Sequence, residues 1–237
     1  MANDIEKVLW VSNAAVANDE PEVSGGGVAY ANGVIYVTTG YGSILALVAK
    51  DGSVLWRREV DSPFRAAPLA VDGQVYAISI DNQLYAYSAR TGKVLWNHRS
   101  VKETAVYLGS VSPTYENGIV IAAYTSGEIY ALRSADGSSI WSDSLVVSKR
   151  TSAASELTGI DATPVIKEGV VYGLSNSGLM SASWLSNGRS IWEQEIAGFN
   201  TPWAAGDYLF MLNNDNALIA IHRREGGVKW IKPLVVG

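Results

Sequence analysis

The sequence predicts an all-β protein, a β-propeller of four-stranded antiparallel blades, and three observations lead there. A Gly-x-x-x-Trp element recurs five times, at Gly52/Trp56, Gly92/Trp96, Gly137/Trp141, Gly188/Trp192 and Gly226/Trp230. With Trp10 leading, successive members of the set are 38 to 51 residues apart, close to the roughly 40–50 residues that a four-stranded blade needs. Between them lie short apolar runs divided by turn dipeptides, and no stretch is patterned as a long helix.

Taken in order, Lys7-Val8-Leu9-Trp10-Val11 reads as the outer strand of a blade, because it repeats Lys93-Val94-Leu95-Trp96. The three strands that should precede it are absent. Five blades then follow over approximately 13–60, 61–100, 101–146, 147–197 and 198–234. In the second blade the breaks are Asp72-Gly73, Asp81-Asn82 and Thr91-Gly92; in the third, Asn117-Gly118, Ser126-Gly127 and Asp136-Gly137. Such dipeptides supply the positive φ of tight hairpins, and three hairpins join four strands. Runs such as Val75-Tyr76-Ala77-Ile78-Ser79-Ile80 and Leu84-Tyr85-Ala86-Tyr87 are the strands between them. A surplus outer strand at one end predicts a piece of a larger propeller. Its blades would form an open arc whose uncovered faces and edges favour self-association.

The repeated Gly and Trp have a structural task. An indole on the outer strand covers the neighbouring blade, and a glycine on the turn just before it leaves room for ring-to-backbone packing. Trp184 and Trp203 fall outside this rhythm.

With 237 residues, 48% hydrophobic and 17% charged, the chain has the composition of a globular protein, and a repeat array places its core between neighbouring units. A formal charge of −5 argues against a broad nucleic-acid surface, which needs clustered Lys and Arg. No apolar run reaches the roughly 18 residues of a membrane-spanning helix, and Met1-Ala2-Asn3-Asp4-Ile5-Glu6 lacks the pattern of a secretory signal. The absence of cysteine removes disulfides, thiolate metal sites and Cys nucleophiles together, yet fits either redox compartment.

Catalytic constellations do not assemble. His98 and His222 form neither a metal pair nor a nucleophile-base order. Gly25-Gly26-Gly27 and Gly40-Tyr41-Gly42 open no helix and are not followed by Gly-Lys-Ser/Thr. Asn213-Asn214-Asp215-Asn216 offers oxygens for a cation but occupies a hairpin turn and lacks the downstream Glu of a calcium loop. No catalytic, cofactor or metal residue is assigned, and the chain is expected not to be an enzyme. Two stretches exceed what the repeat needs: a polar connection over 148–161 and a segment over 100–108 that carries Val106, Tyr107 and Leu108. Long loops on a rigid scaffold are where binding sites gather.

Units such as Asn82-Gln83-Leu84-Tyr85-Ala86-Tyr87-Ser88-Ala89-Arg90-Thr91-Gly92-Lys93-Val94-Leu95-Trp96 resemble the PQQ-like propeller repeat along nearly the whole chain. The order of Ser112-Pro113-Thr114-Tyr115, Leu157-Thr158-Gly159-Ile160-Asp161-Ala162-Thr163-Pro164-Val165, Gly169-Val170-Val171-Tyr172 and Glu225-Gly226-Gly227-Val228-Lys229-Trp230 is similar to the middle and later blades of the BamB family of outer-membrane assembly lipoproteins. The resemblance implies about five blades of an eight-bladed periplasmic propeller, without its lipid anchor. It also implies a scaffold whose partner is the POTRA region of a BamA-like barrel-inserting protein. The family's partner-binding loops fall on the two long stretches. Asp161 matches an acidic contact, Gly159 stands at a companion acidic position, and an apolar and arginine cluster falls on Ala105, Tyr107 and Leu108. A ligand-sensing propeller and a PQQ-dependent dehydrogenase share the repeat and remain as alternatives. Inward packing of Tyr107 and Leu108 between blades is the alternative to a partner contact.

Overall fold

The structure is a computed structural model that describes residues 10–11, 26–100, 111–146 and 159–234. Within these residues, the chain forms five four-stranded antiparallel sheets, each a meander of consecutive strands. The first holds β1 (Gly27–Ala31), β2 (Val34–Thr38), β3 (Ser43–Val48) and β4 (Val54–Glu59). The second holds β5 (Leu69–Val71), β6 (Gln74–Ser79), β7 (Gln83–Ser88) and β8 (Val94–Arg99). In the third are β9 (Thr114–Glu116), β10 (Ile119–Ala123), β11 (Glu128–Arg133) and β12 (Ser139–Ser144). The fourth comprises β13 (Val165–Lys167), β14 (Val170–Leu174), β15 (Met180–Trp184) and β16 (Ser190–Gln194), and the fifth β17 (Trp203–Ala205), β18 (Tyr208–Leu212), β19 (Ala217–His222) and β20 (Val228–Pro233).

Turn chemistry makes the sheets. The hairpins between first and second strands use Asn32-Gly33, Asp72-Gly73, Asn117-Gly118 and Glu168-Gly169, all with positive φ at both positions, the backbone of a turn that matches strand twist. Between third and fourth strands, an alanine faces the repeated tryptophan in every sheet: Ala46, Ala86, Ala131, Ala182 and Ala220 pair with Trp56, Trp96, Trp141, Trp192 and Trp230. The register shifts at the residue after each alanine. This bulge fixes how the indole leaves the sheet.

The core lies between sheets. Tyr76, Ala86 and Trp96 of the second sheet meet Val120, Ala122 and Leu132 of the third. Tyr172, Ala182 and Trp192 of the fourth meet Leu209, Met211, Ile219 and Ile221 of the fifth. At about 25 cal/mol per Å² of apolar surface removed from water, such repeated junctions are the main source of stability.

The seat of each indole differs in one respect from the sequence reading. Gly92 does not serve Trp96, four residues on; it receives Trp56 from the preceding sheet. Likewise Gly137 receives Trp96, Gly188 receives Trp141 and Gly226 receives Trp192. A Cβ placed on these glycines would come within 2.5 to 2.7 Å of the ring, so no other residue fits. The indole N–H then donates to the carbonyl three residues before the glycine: Trp56 to Ala89 at 2.8 Å, Trp96 to Ser134 at 2.8 Å, Trp141 to Leu185 at 2.7 Å and Trp192 to Arg223 at 2.9 Å. The partner is one sheet away because the outer strand of one blade overlaps the last turn of the next.

Trp10 occupies the corresponding seat on the first sheet, against Gly52 and donating to Ala49 O at 3.0 Å. It is not in a strand, and residues 7–9 of the expected outer strand lie outside the described residues. Trp230 is 40% exposed, Trp203 73% and Tyr30 68%. The first and fifth sheets therefore do not join as the other neighbours do: Gly52 is already covered, and Trp230 rests on no glycine turn among the described residues.

Candidate partner-binding face

In a meander of four strands, the turn between second and third strands and the connection to the next sheet lie at the same end. That end carries the turns at 39–42, 80–82, 124–127, 175–178 and 213–216, and the described residues Ser100 and Val146, where the two long connections leave, and Gly159, where the second returns. Ala105, Tyr107 and Leu108 lie outside the described residues, but the residues where the first connection leaves and where the second leaves and returns are described and meet one turn, 124–127 of the third sheet.

Ser100, where the first connection leaves, is bound from both sides. Its N–H donates to Asn82 O at 3.1 Å. Its hydroxyl lies 3.1 Å from that of Ser126 and donates to the carboxylate of Glu128. Asn82, in the left-handed region at φ 58°, accepts from Thr125 N–H at 3.0 Å and Thr125 Oγ1 at 2.9 Å. A buried carboxylate needs such donors to offset lost hydration. Alongside, His98 Nδ1 is 2.8 Å from the hydroxyl of fully buried Tyr124, and burial holds the imidazole below its ordinary pKa.

The second connection leaves and returns at the same turn. Leu145 N–H donates to Gly127 O at 2.8 Å, and Leu145 O accepts from Ser177 Oγ at 3.1 Å. Gly159 exchanges two bonds with Asn176, accepting from its N–H at 3.1 Å and donating to its Oδ1 at 2.8 Å. A Cβ on Gly159 would stand 2.5 Å from Thr125 O. Gly159 is buried and packs its backbone closely against Thr125.

Asp161 is half-buried. Oδ2 accepts from Asn176 Nδ2 at 2.7 Å, while Oδ1 is buried with no hydrogen-bond partner among the described residues. Loss of hydration raises its pKa above the ordinary carboxylate value, and the Asn176 bond offsets this only in part. A cation brought to this carboxylate would complete its coordination and draw the pKa down.

The sequence reading missed Asn82, Thr125, Ser126, Glu128 and Asn176. Glu128, the acidic residue that opens the strand directly before the apolar run Ile129-Tyr130-Ala131-Leu132, was the available signal. The Asn213–Asn216 turn uses its oxygens internally: Asn213 Oδ1 accepts from Asp215 N at 3.1 Å and Ala217 N at 2.8 Å. Among the described residues, no three His, Cys, Asp or Glu side chains gather as metal ligands.

Five sheets joined by tryptophan-on-glycine seats, with one loop-bearing end, define a β-propeller of PQQ-like repeats. The family model described as outer membrane protein assembly factor BamB matches residues 3–232, and the chain belongs to that family. The outer membrane protein assembly factor BamB of Yersinia pestis is 25% identical over 233 residues, which cover 96% of this chain and 59% of that protein. The chain spans 55% to 60% of the length of such curated relatives. Among solved structures, BamB from Moraxella catarrhalis superposes with a TM-score of 0.81 at 22% identity, over 89% of this chain and 64% of that one. A europium-containing methanol dehydrogenase superposes with a TM-score of 0.74 at 13% identity, over 91% and 52%. At these identities the structural likenesses concern the fold alone.

Proposed function

We propose that this chain is a non-catalytic scaffold of outer-membrane protein assembly, acting in the periplasm and holding the POTRA region of a BamA-like partner. The observation that carries the reading is that Ser100, Leu145 and Gly159, where two long connections leave or return, meet at the 124–127 turn, in a chain whose family is an assembly factor. Tyr107 and Leu108 on the first connection supply apolar anchors, since covering them removes apolar surface from water and an aromatic group is a frequent centre of such patches. Asp161, half-buried and with one carboxylate oxygen unpartnered among the described residues, supplies negative charge near the rim for a basic group, a contribution that falls with salt.

The test is the affinity of this chain for the POTRA region of the BamA-like partner before and after Tyr107→Ala plus Asp161→Arg. A folded double variant should lose at least about tenfold, on the order of 1.4 kcal/mol. Undiminished affinity with native circular dichroism would remove the site from these loops.

A further inference from the structure

The five repeats act as internal controls for one another, and three departures from the repeat meet in one place. At the carbonyl that receives the indole, four repeats have Ala49, Ala89, Ser134 and Leu185; the fifth has Arg223. At the first position of the leading hairpin, three have Asn32, Asp72 and Asn117, residues suited to positive φ; the fourth has Glu168, at φ 54°. At the end of the third strand, where the others have Val48, Ser88, Arg133 and His222, the fourth has Trp184, 41% exposed. The other junctions form without any of these, so packing does not require them. Residues that depart from local preference without a structural need mark functional positions.

They converge at the end of the fourth and fifth sheets opposite the loop-bearing face, in a cleft of about 320 Å³ lined by Glu168, Val170, Trp184, Ile191, Arg223 and Arg224. Arg223 is the fixed element: its side chain is 4% exposed, Nε donates to Gly206 O at 2.8 Å and Nη2 to Glu168 Oε2 at 2.6 Å. Arg224 is the exposed one, its side chain 67% accessible and Nη2 paired at 3.5 Å with the same Glu168 oxygen. Glu225 is turned to His222, at 3.9 Å. One carboxylate thus faces two guanidinium groups, which leaves the rim cationic beside an apolar wall of Trp184, Val170 and Ile191.

We infer that this cleft is a binding site for a peptide segment that presents an apolar side chain next to a carboxylate. The side chain packs on Trp184, Val170 and Ile191, and the carboxylate takes Arg224 in competition with Glu168. Arg223 holds Glu168 in place and so positions the site without touching the ligand.

The probe is the blocked dipeptide acetyl-Phe-Asp-amide, with acetyl-Phe-Asn-amide as its uncharged counterpart, titrated into the isotopically labelled chain by NMR. Saturable shifts are expected at the Trp184 indole N–H, identified by its loss in Trp184→Phe, and at the Arg224 amide. Binding should weaken about three- to fivefold for the Asn peptide and for Arg224→Ala, as for an exposed ion pair. Glu168→Gln should tighten binding of the Asp peptide, because it removes the competing carboxylate; a purely structural role for the Glu168 bridge predicts the reverse. Absence of saturable shifts at Trp184, equal affinity for the two peptides, or weaker binding by a folded Glu168→Gln variant would each overturn the assignment.

Discussion

Substituting Gly92 by Ala separates the cost of backbone conformation from the cost of unseating an indole, because Gly73 in the same sheet supplies the control. Both glycines have positive φ, 65° and 74°, so alanine at either pays a left-handed penalty of about 1–2 kcal/mol. At Gly73 an added methyl meets nothing within 4 Å; at Gly92 it lies 2.6 Å from Cδ2 and Cε3 of Trp56. The ring must withdraw. Its hydrogen bond to Ala89 O, 2.8 Å long, contributes about 1 kcal/mol. Its packing is worth more: Trp56 is 6% exposed, complete removal of a buried aromatic costs about 3–5 kcal/mol, and a partial withdrawal forfeits about a third to a half of that. Gly92→Ala should therefore destabilise by about 3–5 kcal/mol and Gly73→Ala by about 1–2 kcal/mol. Urea unfolding of both variants measures the gap, provided the slopes agree with the parent chain. If Gly92→Ala costs no more than Gly73→Ala, the tryptophan-on-glycine seat does not hold adjacent sheets together.

Trp96→Ala should lose about 3–5 kcal/mol and Trp230→Ala no more than about 1–2 kcal/mol, since the second indole is 40% exposed and unseated; denaturant midpoints compare them. For Asp161, the folded pKa is raised, so the native state retains a proton that the unfolded chain has released. Stability from this group falls as pH rises from about 4 through the raised value. Asp161→Asn should then gain stability relative to the parent across that window; a pH-independent difference would contradict the assigned cause. Adding pyrroloquinoline quinone with calcium should leave Tm unchanged under the scaffold reading, whereas a concentration-dependent rise would favour the dehydrogenase alternative, because a ligand of the folded state stabilises it.

The period of the tryptophans, the hairpin dipeptides and the alternation of short apolar runs were legible because they are local: a turn such as Asn117-Gly118 sets its own φ angles whatever surrounds it. Five sheets and their strand order follow from that information. The seating of Trp56 on Gly92 rather than of Trp96 on Gly92 was not legible, because the two pairings use the same residues and differ only in which sheet overlaps which. The same holds for the functional surfaces. Asn82, Ser100, Thr125 and Gly159 are distant in sequence and unremarkable as types, and they meet only because adjacent sheets stack with their turns aligned. Gly159 stands where the family resemblance implies an acidic residue, and its backbone is pressed against Thr125 O, a contact no pattern encodes. Trp184, Glu168 and Arg223 could each be seen as exceptions to the repeat. Their convergence depends on the fourth sheet packing against the fifth, which places a hairpin of one beside the last turn of the other.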